Sequence, residues 1–347
     1  MLDRSALQRA LAGALVGAAV ADALGLPFEG LSPRRAARMF PGPLRHRFVF
    51  GRAMVSDDTE HAVLQLVALA RSQCEPHTFG RALAWRLRFW FMGLPAGIGL
   101  ATLRACLKLM LGFGYKNSGV RSAGNGPAMR AAALGVLAQD SEHLRALVGV
   151  STRITHTDQD AYYGALLVAM AARIATHGSF TTLEFRRQCA DQQASHFTHW
   201  RALVDRVADS VDAQQSTREF AASEGLQNAI SGYVLHTVPV CSHAALSHPQ
   251  DYRSAVTTII SCGGADTTAA IVGAIVGAGV GVDTIPSQWR ADIADWRMSL
   301  ARINALVDGF CARSALPSFA LCLRIPRNLV FLLVVLTHGF RPLLPPY

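Results

Sequence analysis

Gly273, Gly277 and Gly281 recur at four-residue intervals along the apolar stretch that starts at Thr268. That repeat limits the possible folds more than any other feature of the chain. Residues four apart share one face of an α-helix, and a face of glycines lets a second backbone approach closely. Such a helix must be buried against a neighbour. Apolar residues recur at three- and four-residue spacing elsewhere too, as in Val63, Leu66, Val67 and Ala70. Strand-like alternation is weak, so the chain reads as all-α. Helices are expected over residues 5–24, 58–72, 78–92, 96–111, 127–139, 141–154, 158–177, 181–196, 198–213, 231–246, 250–261, 267–281, 289–312 and 327–338.

A chain of 347 residues is long enough for two domains, yet no linker, charge block or low-complexity stretch divides it. One domain over residues 1–347 is expected, with 313–347 as an extension packed on it. No fixed-period repeat argues for a solenoid. Hydrophobic residues make up 51% and charged ones only 16%, against about a quarter charged in average domains, so a large core is available. The formal charge of +9 suits an anionic ligand, or weak attraction to nucleic acid or a membrane surface. Lysine is confined to Lys108 and Lys116, and no dense basic patch with interleaved aromatics signals nucleic-acid binding. The seven cysteines (74, 106, 189, 241, 262, 311 and 322) are scattered and lack CxxC spacing. They suggest neither a zinc site nor a disulfide framework, and a cytoplasmic location is expected. Leu11–Leu26 has the apolar look of a signal peptide, but Asp3 precedes it and Asp22 and Glu29 fall in or just after it, so it reads as a first core helix. The run Leu329–Leu336 is eight residues, well short of the roughly 20 needed to span a bilayer. It is expected to be a buried helix, with an interfacial helix as the alternative, and the chain is not expected to be transmembrane.

Two stretches carry concentrated oxygen chemistry. In Val55-Ser56-Asp57-Asp58-Thr59-Glu60-His61, a hydroxyl and adjacent carboxylates precede an apolar helical run. One reading makes Asp57 a helix cap and Glu60 the far half of a capping box. The other makes the group a ligand set for Mg²⁺ or Mn²⁺, which prefer oxygen donors. The second stretch, Gly263-Gly264-Ala265-Asp266-Thr267-Thr268, again delivers a carboxylate and a hydroxyl to a helix start. Two positive helix ends would repel a cation unless carboxylates outnumbered them, as Asp57, Asp58 and Asp266 would. The loop Ser122–Pro127 exposes small residues before a helix, suiting either an anion site or a plain turn.

These stretches, in this order, resemble the ADP-ribosylglycohydrolase family over roughly residues 8–300. The motifs are Gly17-Ala18-Ala19-Val20-Ala21-Asp22-Ala23-Leu24-Gly25 with Glu29; Ser56-Asp57-Asp58-Thr59; Gly124-Asn125-Gly126-Pro127-Ala128-Met129-Arg130; Thr155-His156-Thr157-Asp158; Gly232-Tyr233; and Gly263–Thr268. The resemblance implies a single-domain orthogonal bundle of many helices with a central metal-binding cleft. It implies a hydrolase that cleaves the glycosidic bond between ADP-ribose and an acceptor, on an ADP-ribosylated protein or a small ADP-ribosyl compound, with up to two Mg²⁺ or Mn²⁺. Ser56, Asp57, Asp58, Asp266 and Thr267 would hold metal. Glu29, Asp57 and Asp58 would act in catalysis, Glu29 by orienting water. Asp22, Gly124, Asn125, Gly126, His156 and Tyr233 would lie along the substrate, with Tyr233 stacking on its adenine or ribose.

Two departures fall on the metal site. Ser56 replaces the family's usual threonine but keeps the hydroxyl. The family's Gly-Gly-Asp-x-Asp-Thr run loses one Asp here, where Gly264 or Ala265 stands. That loss bears on the second cation, and it keeps open the alternative of a catalytically weakened or inactive ADP-ribose-binding protein.

Overall fold

A computed structural model describes residues 2–48, 51–178, 180–190, 197–318 and 323–340. Among these the α-helices, in chain order, are α1 (Arg4–Gly25), α2 (Pro33–Met39), α3 (Asp57–Ser72), α4 (Pro76–Phe91), α5 (Leu100–Met110), α6 (Ala132–Leu137), α7 (Ser141–Arg153), α8 (Gln159–Thr176), α9 (Thr182–Ala190), α10 (Thr198–Asp212), α11 (Thr217–Ser223), α12 (Val234–Ser247), α13 (Tyr252–Ser261), α14 (Asp266–Val280), α15 (Ser287–Ala291), α16 (Leu300–Ala312) and α17 (Arg324–Phe340). Extended pairing among the described residues is limited to three isolated bridges, Ala53 with Ile293, Val120 with His156 and Gly124 with Tyr233.

The glycine face does what its spacing requires. The helices α1 and α14 run antiparallel in near backbone contact: a Cβ on Gly17 would overlap the Gly273 carbonyl, and one on Gly13 would overlap the Gly277 carbonyl. Gly281 has a different job, ending α14 at φ 82°, a region that favours glycine. Tyr252 Oη of α13 donates to the Gly17 carbonyl at 2.6 Å and closes the seam from the side. The span Arg4–Phe28 is long and apolar enough to cross a membrane, but 94% of its apolar window is buried. The core helix that Leu11–Leu26 suggested is what forms. Six cysteines are free thiols among the described residues; Cys322 lies outside them.

Several expectations need correction. Residues 289–312 do not form one helix, because Asp295 Oδ1 accepts from the backbone N–H groups of Arg297 (3.0 Å) and Met298 (2.8 Å). A short carboxylate bonding its own backbone competes with helix continuation, and Ser299 then caps α16. Residues 127–139 split into a 3-10 turn, Ala128–Arg130, and the short α6. Two helices escape apolar periodicity, α2 behind Ser32-Pro33 and α11, whose Ser216–Glu219 pair forms a complete capping box. Residues 191–196, expected to be helical, lie outside the described residues. The largest change concerns α17. Its Arg324, Arg327, Asn328 and Phe331 are buried, while Leu329, Leu333 and Leu336 are exposed. The C-terminal helix is therefore not buried as expected: it turns its polar side inward.

Candidate active site

Ser56, not Asp57, is the N-cap of α3: its Oγ accepts from the Asp58 N–H at 3.2 Å. The capping box does not form either. Glu60 is buried and turned away, accepting from Trp90 Nε1 at 2.6 Å and from Arg297 Nη1 at 3.2 Å. The first turn of α3 is thus free to aim its other carboxylates elsewhere.

Asp58 points toward α1 and α14. Its Oδ2 accepts from Ser56 Oγ (3.0 Å) and from Thr267 Oγ1 (3.1 Å), joining the two oxygen-rich stretches directly. Asp22, from the last turn of α1, is fully buried and accepts from the Ser56 N–H at 2.9 Å, from the Thr59 N–H at 3.3 Å and from Thr59 Oγ1. Asp266, the first residue of α14, completes the group: Asp22, Asp58 and Asp266 each bring a carboxylate oxygen within 4.8 Å of the others. The α1–α14 seam causes this convergence, since Gly25 packs against the backbone of Ala265 and Asp266. Asp22 therefore belongs with the carboxylate cluster, in addition to the substrate-side position the family resemblance implies.

The electrostatics are one-sided. Burial raises the Asp22 carboxyl to about 6 in spite of its hydrogen bonds. Asp58 is pushed well up by burial, then by the charges of Asp57 and Asp22. Asp266 is pushed well up by burial, then by Glu29, Asp58 and Asp22. Asp58 Oδ1 is buried and has no hydrogen-bond partner among the described residues. Buried charge without a partner is costly, and a cation removes that cost. The donors are carboxylates with hydroxyls beside them, the set that suits a hard divalent cation. Asp22, Asp58 and Asp266 could hold one, with Ser56 Oγ and Thr267 Oγ1 alongside.

Above the cluster lies a cleft of about 460 Å³ lined by Glu29, Asp57, Asp266 and Thr267 on one side and by Gly124, Asn125, Gly126 and His156 on the other. Asp57 is half-buried there, its carboxyl raised well up by burial, then by Asp266, Asp22 and Glu60. Glu29 stands at the mouth just after the turn Leu26–Phe28, with its carboxyl raised by desolvation. The glycines of the opposite wall make room for a ring: a Cβ on Gly124 would stand 3.1 Å from His156 Nε2, and one on Gly126 would stand 3.0 Å from His156 Cε1. His156 is buried, its Nδ1 2.9 Å from Thr155 Oγ1, and burial lowers it to about 3, so the ring is neutral. Asn125 Nδ2 donates to Thr237 Oγ1 at 3.1 Å, tying the loop to α12. Tyr233 is the N-cap of α12, 40% exposed, and bridges Gly124 through its backbone; its ring meets His236 and is not part of the cleft lining.

Arg130 braces this wall from behind. It is buried and donates to the Gly126 carbonyl (3.2 Å), to Thr155 Oγ1 (2.9 Å) and to both oxygens of Ser151 (3.1 and 2.8 Å). Burial brings it down to about 10, so it remains a cation at neutral pH. Met129 is buried beside it and reaches the cleft. Thr102 and Ser231 also line the cleft, and no spacing in the sequence marks them.

The missing carboxylate has a physical explanation at Gly264. A Cβ there would overlap Thr268 Oγ1 and stand 2.6 Å from the Ile259 carbonyl, so no Asp fits. The positive φ of this turn belongs to Gly263, at 90°. Ala265, which lines the cleft and caps α14 without a side-chain bond, is the position open to a carboxylate.

A bundle that is helical throughout its described residues, with helix ends that gather carboxylates and hydroxyls beneath a glycine-walled cleft, defines a class. The ADP-ribosylglycohydrolase profile matches residues 3–316, and the chain belongs to that family. It is 30% identical to an uncharacterized protein of Archaeoglobus fulgidus, over 81% of this chain and 90% of that one. It is 27% identical to the ADP-ribosyl-[dinitrogen reductase] glycohydrolase of Rhodospirillum rubrum, over 88% and 98% of the two chains. It is also 27% identical to human ADP-ribosylhydrolase ARH3, over half of this chain and 54% of that protein. A solved ADP-ribosylglycohydrolase-related protein complex shares the fold at a TM-score of 0.63 and 23% identity, covering 90% of this chain and 100% of that one.

Proposed function

We propose that this chain hydrolyses the glycosidic bond joining ADP-ribose to an acceptor on a protein or a small molecule, with Mg²⁺ or Mn²⁺ held by Asp22, Asp58 and Asp266. The observation that carries this reading is the convergence of three carboxylates of one sign, one with a buried unpartnered oxygen, at the floor of the cleft. When bound, the cation supplies charge stabilisation and orients oxygen ligands. The remaining chemistry falls to the chain's own residues. As the bond to the anomeric carbon breaks, that carbon gains oxocarbenium character and favours nearby carboxylates. Glu29 and Asp57 are the carboxyls on the cleft wall outside the cluster, and in this reading they take a proton from water and return one to the departing acceptor. The neutral His156 ring, fixed by Thr155, lines the opposite wall and would contact the ligand there.

The absent Asp favours a second reading, a protein that binds ADP-ribose without turnover, and it argues for one strongly held cation rather than two. Calorimetric titration with ADP-ribose, with and without Mg²⁺, run beside a turnover assay on ADP-ribosylated protein separates the two. The hydrolase binds more tightly with Mg²⁺ and releases ADP-ribose; the binder only binds; absence of binding in both conditions sinks both readings.

A further inference from the structure

Apolar exposure and positive charge coincide in two segments of this chain. Residues 76–139 and 309–347 contain none of the 24 acidic residues and twelve of the 33 basic ones, so the remainder of the chain carries a net negative charge; Arg130, Arg324 and Arg327 of the twelve are buried, whereas Arg81, Arg104, Lys116, Arg121 and Arg313 are exposed. The same segments hold most of the exposed large apolar side chains among the described residues, Leu183, Tyr233 and Trp296 being the exceptions. On α17, Leu329, Leu333, Leu336 and Phe340 are 56, 67, 49 and 63% exposed, while Arg327 donates inward to Asp295 and Asn328 donates to the Gly93 carbonyl at 2.7 Å. Arg324 donates to the Phe89 carbonyl at 2.6 Å, which seats α17 beside the end of α4. There Phe89, Met92 and Leu94 are also exposed. The cations stand within the apolar rows: Arg81, Trp85 and Phe89 are four apart on α4, and Leu100, Arg104 and Leu107 share one stripe of α5 that continues to its C-cap Leu111, both arginines being exposed.

We propose that this face docks on an anionic bilayer surface, with α17 lying in the plane of the interface. Exposed apolar patches of this kind mark interaction sites, and a helix presenting apolar residues beside cations is the form that settles at a lipid interface. A second copy of the chain fits less well. Its face would bring the same cations, Arg81 and Arg104 among them, against this one, and the outer side of α17 offers only the Thr337 hydroxyl, already bonded to the Leu333 carbonyl. Protein interfaces carry hydrogen bonds throughout, whereas hydrocarbon asks for none. Leu100 belongs to the stripe and also lines the cleft, so docking sets the cleft mouth beside the lipid surface.

Flotation of the full chain with phosphatidylcholine vesicles, alone or mixed with phosphatidylglycerol, tests this. Binding is expected with the anionic vesicles and is lost in high salt. Each exposed cation contributes about fivefold in partition, so Arg81→Ala with Arg104→Ala should lower it about 25-fold. Leu333→Asp with Leu336→Asp should lower it by about tenfold or more, while thermal unfolding and turnover of a soluble substrate stay as in the parent. No flotation with anionic vesicles, equal flotation with neutral ones, or undiminished flotation of the Leu variant would overturn the proposal. So would sedimentation showing a dimer that the same Leu variant dissolves, since a second copy would then cover the face.

Discussion

Asp58 and Glu60 leave α3 about 200° apart around its axis, and the two sides of that one turn treat buried charge in opposite ways. Glu60 meets Arg297 at 3.2 Å and Trp90 at 2.6 Å, and Arg327 nearby is held by Asp295 at 2.5 Å. Every carboxylate there has a cation. Asp58 lies beside Asp22 and Asp266 and accepts from the hydroxyls of Ser56 and Thr267, with no cationic side chain among its bonds. Paired buried charge holds a fold together, whereas unpaired charge of one sign persists where a ligand balances it.

Replacing one carboxylate on each side sharpens that contrast. The largest effect should follow Asp58→Asn, which removes a ligand and a repulsive charge together: turnover should drop by about 10³-fold or more, roughly 4 kcal/mol in the barrier, while the metal-free protein keeps or gains stability. If calorimetry shows Asp58→Asn unfolding as readily as a Glu60 variant, the two sides are alike and the contrast fails. Next comes Glu60→Ala, which leaves Arg297 without its carboxylate. Loss of one partner of a buried pair costs about 3–5 kcal/mol, to be read by denaturant unfolding, with cation affinity of the folded protein unchanged. The smallest effect concerns pH. Asp22 rises from an ordinary 3.8 to about 6 on folding, so the folded state binds more protons between those values. In metal-free protein the resulting stability is present below about 4 and is lost as pH rises through about 6, on the order of 3 kcal/mol. Saturating Mg²⁺ should abolish that decline; a melting temperature that rises with pH in chelator would contradict it.

Helices were legible because a 3.6-residue apolar rhythm survives in a chain this rich in core residues, and the glycines at 273 and 277 marked the close backbone seam of α1 and α14. Family motifs pointed to both oxygen-rich stretches and to Asp22. Spacing by itself left the direction of each side chain open, although 100° per residue already separates Asp58 from Glu60. The capping-box reading failed for that reason: Glu60 found Arg297, 237 residues away. Apolar rhythm also identifies a helix face without saying which way it looks, and α17 follows the rhythm while inverting its usual meaning. The family resemblance put the glycines at 124 and 126 along the substrate, but the loop's own pattern did not reveal that the atom nearest to each belongs to His156, a tertiary neighbour.

The contact of bare backbones along α1 and α14 also acts as a gauge. With no side chains between Gly17 and Gly273 to shift or repack, the two helices have one registration, and Asp22 and Asp266 inherit their separation from it. Gly13 lies nine residues from Asp22, about 13 Å along the axis, yet a methyl group there would push the Gly277 carbonyl away and carry the error to the cluster. The spacing of the carboxylates is therefore set at a distance, partly by residues that touch none of their oxygens.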